Sequence, residues 1–382
     1  MTTTTHSATT PAVLELRNIR VGYRRRRKDP LFWALDDVTL TVTRGRTMGL
    51  IGESGSGKST LAKVILGLAP VHSGSVTLLD RDITGISAAQ RRTLGRTLQA
   101  VFQDPNTSLN PSYTIGRSLA EPMRAQGIRS KEQINKRTAV MLQDVNLDPA
   151  AAKKYPRQFS GGQRQRISIA RALMTEPQMV ICDEAVSALD LSVQAQILNL
   201  LSDLQDEHQL SYLFISHDMS VVRHLCHDVT VLYQGQVMES GPTHLVSQAP
   251  AHPYTRTLLL AAPIADPTVQ RQRRTARVAP ASGTSATPTP AVSTGCPFAP
   301  RCPFAIATCW DTRPELRTLP DGRAVACHRY PEWQQEAPPA PTTPAPALTP
   351  VTPTSVPLSH TIRETSYTAM SSGETNTKET EI

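Results

Sequence analysis

The sequence predicts an α/β fold, and three observations support this prediction. Between Val13 and Pro263, short apolar bursts alternate with helix-like stretches. A glycine-rich segment follows one burst and precedes a helix-like stretch, and another burst ends in two adjacent carboxylates. The bursts are Thr47–Ile51, Gln99–Gln103, Met179–Cys182, Tyr212–Ser216 and Val229–Tyr233.

The composition indicates that only part of the chain folds. With 382 residues and 39% apolar content, the chain is long enough for one sizeable core and a smaller one. The 31 prolines against 4% aromatic residues indicate that another part joins no core. The sequence contains neither a signal peptide nor a long apolar run, so we expect a soluble, cytoplasmic protein. Its net charge of +8 permits a polyanionic partner without requiring one.

Shifts in composition divide the chain into five predicted segments. The Thr-rich start and the Pro-rich end contain little that could be buried, and a stretch without aromatic residues connects the two predicted folded parts. The predicted segments are a disordered leader (1–11), the α/β domain (12–263), a linker (264–295), a small Cys-rich domain (296–335) and a disordered tail (336–382).

The glycine-rich segment has the pattern of a phosphate-binding loop. Its glycines let backbone N–H groups and a helix N-terminus point at the β-phosphate. Lys58 would neutralise charge on the β- and γ-phosphates, and the hydroxyl of Ser59 would bind Mg²⁺. The predicted nucleotide-binding residues here are Gly52, Ser54, Gly55, Ser56, Gly57, Lys58, Ser59 and Thr60.

Asp183 and Glu184 form the pair of carboxylates that closes the third burst. Side chains alternate along a strand, so the two groups point to opposite faces and can take different roles. We expect Asp183 to hold Mg²⁺, directly or through water, and Glu184 to polarise the water that attacks the γ-phosphate.

A second anion-binding segment consists of Ser160, Gly161, Gly162 and Gln163. Ser160 has the pattern of a helix N-cap, and the two glycines leave bare amides at the positive end of the helix dipole. Together with the phosphate loop, this segment resembles the signature of the ATPase subunits of ABC transporters. In that family, the signature of one subunit closes over nucleotide held by the phosphate loop of another.

The resemblance covers Val13 to Pro263 and assigns further residues. Gln103 resembles the Q-loop glutamine that reaches Mg²⁺ and the attacking water, and a helical subdomain that contacts the membrane partner follows it. His217 resembles the switch histidine at the γ-phosphate, and Asp190 ends a segment that resembles the D-loop. Tyr23 is the best candidate for stacking on adenine, with Phe32 and Trp33 as weaker ones.

Three further segments resemble the oligopeptide and dipeptide importer ATPases, with the second of two paralogous subunits the best match. They are QDPNTSLNP after Gln103, CDEAVSALDLSVQAQILNLL, and the residues from His252 to Thr255. The resemblance implies ATP and Mg²⁺, a paralogous ATPase subunit, two transmembrane permease subunits and an extracytoplasmic peptide-binding protein. It also implies a peripheral position on the cytoplasmic face of the membrane. Nickel, glutathione or other cargo stays open, because related importers share this motor pattern.

The predicted small domain contains four cysteines, Cys296, Cys302, Cys309 and Cys327, with five, six and seventeen residues between them. In a cytosolic chain, four thiols favour a metal or a cluster over disulfides. Some members of the resembled family carry a four-iron four-sulfur cluster on such a segment, and all-thiolate ligation suits it. Zinc and free thiols are the alternatives, although zinc sites usually contain close-spaced cysteine pairs.

Two rival functions fit the sequence less well. A nucleic-acid-associated ATPase is suggested by the basic runs Arg24–Lys28 and Arg271–Arg274, but these runs lack interleaved aromatic residues for base stacking. Such soluble relatives also carry two complete motif sets, whereas this chain has one. A scaffold with an inactive site is disfavoured, because Lys58, Asp183 and Glu184 are intact. We therefore expect no nucleic-acid partner.

Overall fold

Two β-sheets organise the chain in the computed structural model. The structure describes residues 11–24, 26, 29–104, 108–262, 271 and 294–337. The predicted tail from 338 onward, the leader up to residue 10, most of the linker and most of both basic runs lie outside the described residues. The described residues belong to one compact unit.

The centre of the larger sheet is parallel. Its five parallel strands are the five predicted bursts, which confirms those predictions to within two residues at each end. Such strands are covered on both faces, so they appear in the sequence as continuous apolar runs. In spatial order they are β9 (Asp228–Tyr233), β3 (Thr47–Ile51), β8 (Ser211–Ser216), β7 (Met179–Asp183) and β6 (Leu98–Val101).

Three antiparallel strands extend this sheet beyond β9. Strand β10 (Gln236–Pro242) pairs with β9, and it also pairs with β12 (Ala324–Val325), which forms a short hairpin with β11 (Arg317–Thr318). The Cys-containing segment therefore completes the edge of the main sheet.

The smaller sheet is antiparallel and was not predicted from the sequence. Its order is β2 (Phe32–Thr43), β1 (Ala12–Tyr23), β4 (Ser73–Leu78) and β5 (Arg81–Asp82). Buried residues of β1 such as Leu14 and Leu16 share a core with Leu50 and Ile181 of the main sheet. This packing places the end of β1, with Tyr23, on the same body as the phosphate loop.

Helices cover the main sheet. The part of the chain that connects β6 to β7 forms a separate helical layer. That layer contains α3 (Ile115–Ala125), α4 (Lys131–Asp144) and α5 (Gly161–Leu173), whose N-cap residues Thr114, Ser130 and Ser160 each accept a backbone hydrogen bond. It corresponds to the predicted helical subdomain. The helices are α1 (Lys58–Ile65), α2 (Ala88–Leu94), α3 (Ile115–Ala125), α4 (Lys131–Asp144), α5 (Gly161–Leu173), α6 (Leu191–His208), α7 (Met219–Leu225), α8 (Thr243–Gln248), α9 (Pro253–Ala261), α10 (Ala307–Asp311) and α11 (Glu332–Glu336). Short 3-10 turns cover Pro149–Lys153, Pro156–Gln158 and Ala299–Arg301.

Buried polar contacts fix the C-terminal segment to the main sheet. Glu239 of β10 is fully buried and accepts hydrogen bonds from the amides of Ala251 (2.8 Å) and His252 (2.9 Å). The guanidinium of Arg323 lies 3.5 Å from the same carboxylate, and the indole N–H of buried Trp333 donates to the carbonyl of Ala251 at 2.9 Å. Together with the β10–β12 pairing, these contacts attach residues 294–337 to the ATPase core.

Among the helices in the described part of the chain, none is long and apolar enough to cross a membrane.

Candidate nucleotide-binding site

The phosphate loop connects β3 to α1 in the predicted order. Gly57 has a φ of 107°, and a side chain there would place its Cβ 2.6 Å from the carbonyl oxygen of Ala34. Gly52 is equally constrained, since its Cβ would lie 2.1 Å from the carbonyl oxygen of Leu232. Only glycine fits both positions. The side chains of Ser54 and Ser59 are exposed, so the hydroxyl of Ser59 is accessible to a metal ion.

Lys58 is held beneath the loop. Its ammonium donates to the carbonyl oxygens of Gly52 at 2.6 Å and Glu53 at 2.9 Å, and the residue is only 6% exposed. Burial lowers the pKa of Lys58, while the negative charges of Glu184 and Asp183 act against this shift. The carbonyl oxygens of the loop therefore fix the position of the Lys58 ammonium, which would neutralise charge on a bound phosphate.

Parallel pairing brings three strand ends to one edge of the sheet. In the register, Ile51 at the end of β3 is opposite Ser216 of β8, and Ile215 is opposite Asp183 of β7. Burial and the neighbouring Glu184 raise the pKa of Asp183, and the charge of Lys58 opposes this rise. The hydroxyl of Ser59 and the carboxylate of Asp183 are the oxygen ligands that Mg²⁺ prefers, so the donor set fits this ion.

Of the three predicted catalytic residues, Glu184 contacts both of the others, Gln103 and His217. The amide nitrogen of Gln103 donates to one carboxylate oxygen of Glu184 at 2.8 Å, and the imidazole Nδ1 of His217 lies 3.4 Å from the other. Glu184 has a φ of 48°, a conformation that is uncommon for a residue with a side chain, and its N–H donates to the carbonyl of Ile215. Glu184 therefore lies in the turn that follows β7, where its carboxylate contacts Gln103 and His217.

The signature segment starts helix α5, as the sequence predicts. The hydroxyl of Ser160 accepts from the N–H of Gln163 at 3.3 Å, and the Gln163 side chain accepts from the N–H of Ser160 at 3.0 Å. This capping box confirms Ser160 as the N-cap. Ser160 and Gly161 are exposed, and α5 packs against α3 and α4 of the helical layer and against α6.

The remaining predicted residues occupy different environments. Tyr23 is 43% exposed at the end of β1, beside the 65% exposed Phe32. Trp33 is already engaged, since its ring meets His72 edge-on and lies under the guanidinium of Arg20. The Asp190 carboxylate caps helix α6 by accepting from the N–H of Val193 at 3.0 Å. Thr60 is half-buried in α1.

The four C-terminal cysteines converge on one small cavity, which Phe298 and Phe304 also line. Burial raises the pKa of three of these thiols, to about 11 for Cys296 and Cys327 and about 12 for Cys302. Within the described ranges, no group of three or more Cys, His, Asp or Glu side chains is arranged to hold a metal ion. The structure thus brings the four cysteines together without a disulfide between them.

Two side chains at the phosphate loop were missed from the sequence. The hydroxyl of Tyr254 accepts from the N–H of Glu53 at 3.0 Å, and the guanidinium of Arg301 binds the Glu53 carboxylate. Tyr254 lies within a segment already matched to the importer ATPases, and Arg301 directly precedes Cys302. Neither position indicated a contact with the loop, because both contacts span at least 201 residues.

Comparison with known proteins defines the family. A family model described as ABC transporter matches residues 35–187, and one described as oligopeptide/dipeptide transporter, C-terminal region, matches residues 238–309. The oligopeptide transport ATP-binding protein OppF of Salmonella typhimurium is 43% identical over 312 residues, which cover 80% of this chain and 92% of OppF. The chain belongs to the ATP-binding subunits of oligopeptide/dipeptide ABC importers. The resemblance found in the sequence is confirmed.

Other relatives and solved structures agree with this family. A protein of Brucella abortus named as a peptide import ATP-binding protein is 44% identical over 319 residues, covering 82% of this chain and 92% of that protein. The dimeric post-hydrolysis structure of the ATP-binding cassette MJ0796 aligns with a TM-score of 0.54 at 28% identity, over 60% of this chain and 98% of that one. The predicted ABC-type ATPase fold is therefore confirmed, and this importer subunit is an ATPase.

Replacing Glu184 should preserve ATP binding and remove most of the ATP hydrolysis. Glu184→Gln should bind ATP within about twofold of the wild type, because the phosphate loop is untouched. Turnover should fall by at least about 100-fold, because an amide is a far weaker base than a carboxylate. The matched control is Glu132→Gln, on an exposed site of α4, which should change neither quantity. ATPase activity of the assembled transporter measures the effect, and normal turnover by Glu184→Gln would contradict the role of Glu184.

Proposed function

We propose that the chain is one of two paralogous ATPase subunits that drive a peptide importer from the cytoplasmic face of the membrane. In this proposal the pair docks on two transmembrane permease subunits, and an extracytoplasmic peptide-binding protein delivers the cargo. The observation that carries the proposal is the exposure of two different anion-binding segments, the phosphate loop with Ser59 and the signature with Ser160. In this proposal, the phosphate loop and the signature segment each form half of an ATP-binding site.

The placement of these two halves on different helices supports a composite ATP site. The signature starts α5, which packs against α3 and α4 of the helical layer, whereas the phosphate loop connects β3 to α1. A second subunit could supply the missing half to each loop, which gives two composite sites for a pair. The solved structure of MJ0796 is described as dimeric and bound to ADP and phosphate, which supports such an arrangement.

The residues at the sheet edge suggest which group binds each part of MgATP. Tyr23 would stack on adenine while Lys58 and the loop amides hold the phosphates. Ser59, Asp183 and Gln103 would hold Mg²⁺, which, when bound, neutralises charge on the β- and γ-phosphates.

In the hydrolysis step, Glu184 would take a proton from the attacking water, and His217 would contact the γ-phosphate. The bond from the γ-phosphorus to its bridging oxygen breaks as the new bond to water oxygen forms, leaving ADP and phosphate.

An apolar groove supports docking on a membrane partner. It has a volume of about 490 Å³ and lies between the main sheet and the helical layer. Phe102, directly before Gln103, and Leu68 line this groove, and their side chains are 46% and 56% exposed. Exposed apolar residues at a groove are typical of a surface that binds another protein. A partner helix seated here would contact the residue next to the catalytic Gln103.

A charge in the groove should disrupt assembly without affecting nucleotide binding. Phe102→Asp is expected to reduce recovery of the permease subunits with the tagged ATPase by about tenfold, because the carboxylate would be desolvated at an apolar contact. ATP affinity of the purified chain should stay within about twofold of the wild type. Val140→Asp is the control, since Val140 is a 38% exposed apolar residue on α4 outside the groove. Full assembly by Phe102→Asp would contradict docking at this groove.

The cysteine cavity suits a soft metal group by its chemistry. Four thiols on one apolar cavity match the all-thiolate ligation of a four-iron four-sulfur cluster, which therefore stays a prediction. Because burial raises the pKa of the Cys296, Cys302 and Cys327 thiols, binding would have to displace protons from them. Cys296, Cys302, Cys309 and Cys327 would hold the cluster and thereby cross-link the short C-terminal segment.

Metal analysis of the anaerobically purified chain distinguishes the alternatives. The cluster predicts about four iron and four sulfide per chain, lost in Cys302→Ser and retained in Cys226→Ser, whose thiol is buried elsewhere. About one zinc and no iron would favour a zinc site instead. A chain with neither metal would show that the thiols stay free.

A further inference from the structure

Glu53, the second residue of the phosphate loop, is held through every polar group it has. Its N–H donates to the hydroxyl of Tyr254 at 3.0 Å. Its carbonyl oxygen accepts from the ammonium of Lys58 at 2.9 Å and from the N–H of Ser56 at 3.1 Å. Its carboxylate accepts two hydrogen bonds from Arg301, at 2.7 and 2.8 Å. Glu53 is therefore one point at which the loop is attached to the rest of the chain, alongside the carbonyl of Ser56, which accepts from the N–H of Gly235 at 2.9 Å.

The Arg301–Glu53 contact is bidentate and geometrically well defined. Two parallel N–H to carboxylate bonds of this kind are stronger and more specific than a single ion pair. The guanidinium lies 5.8 Å from the ring centre of Tyr233 and 5.7 Å from that of Phe298. The Tyr233 ring also packs on Tyr254, with ring centres 4.5 Å apart. The ring of Tyr233 thus packs against both residues that hold Glu53, namely Arg301 and Tyr254.

Arg301 comes from the C-terminal Cys segment. It ends the 3-10 turn Ala299–Arg301, between Cys296 and Cys302, and is 248 positions from Glu53. We propose that Arg301 is a positioning residue for ATP binding, which holds the phosphate loop through the Glu53 carboxylate. The C-terminal segment then contributes directly to how well this ATPase binds nucleotide, in addition to completing the main sheet.

Loss of Arg301 should act on the loop in two ways. The backbone of Glu53 would be less firmly held, and its carbonyl is one of the groups that position Lys58. The Glu53 carboxylate would also lose its neutralising partner close to the bound phosphates, where like charge opposes binding. Arg301 contacts none of Gln103, Glu184 and His217 by hydrogen bond or ion pair. Affinity for ATP should therefore change more than turnover at saturation.

The test compares nucleotide affinity with turnover. Arg301→Ala should weaken binding of MgATP to the purified full-length chain by about fivefold, a moderate effect because the ion pair is partly exposed. In the assembled transporter, KM for ATP should rise by a similar factor while kcat stays within about twofold. Arg301→Lys should recover part of the affinity, since it keeps the charge and loses the bidentate geometry.

A second variant tests the contact without altering the C-terminal segment. Glu53→Ala should lower ATP affinity through loss of the same attachment, and the double variant Arg301→Ala with Glu53→Ala should be no weaker than the weaker single variant. Additive losses in the double variant would overturn the proposal, because they would show that the two residues act independently.

Arg313→Ala is the matched control. Arg313 also belongs to the C-terminal segment and also binds a carboxylate, that of Asp36 at 2.8 Å, but it does not contact the phosphate loop. The ATP affinity of the Arg313→Ala variant should equal that of the wild type. Equal weakening by Arg313→Ala and Arg301→Ala would overturn the proposal in favour of a general structural role. Unchanged affinity in Arg301→Ala, or a loss of kcat with unchanged KM, would also overturn it.

Discussion

The parallel pairing of β3, β8 and β7 is the constraint on which the rest of the structure depends. Because these strands run in the same direction, their carboxyl ends meet at one edge, and the segments that follow them meet there too. The phosphate loop follows β3, Glu184 follows β7 and His217 follows β8. Gln103 arrives two residues after β6, the neighbour of β7. A cation, an acid pair and a histidine are thereby gathered from distant parts of the chain.

The parallel strands and the site residues that follow them were predictable because each corresponds to a short, continuous sequence motif. Buried parallel strands appear as apolar runs, and the residues after them can be matched to phosphate chemistry one by one. The antiparallel sheet of β1, β2, β4 and β5 was not predicted, since its pairing depends on contacts between distant segments. The hairpin of β11 and β12 has only two residues in each strand, too few to produce a periodic pattern. The Arg301–Glu53 contact was missed for the same long-range reason.

In the proposed composite site, a partner subunit would supply the signature segment that faces each phosphate loop. The residues for phosphate binding and water activation share one edge of the main sheet, but the signature amides belong to the helical layer. Lys58 and Asp183 are both partly withdrawn from water at this edge, so burial lowers the pKa of the Lys58 ammonium and raises that of the Asp183 carboxyl, while the opposite charges of the two groups act against these shifts. The C-terminal segment reaches the same loop through Arg301, so it is part of the nucleotide-binding body.

The central claim is that the two exposed half-sites are completed by other subunits at a membrane. The most direct measurement is co-purification from the native cell with tagged Glu184→Gln in the presence of ATP, which should hold the closed complex, followed by mass spectrometry of the partners. The account predicts two permease subunits, a paralogous ATPase and a peptide-binding protein. Recovery of the closed ATPase with ribosomal or DNA-bound partners and no membrane subunit would contradict it.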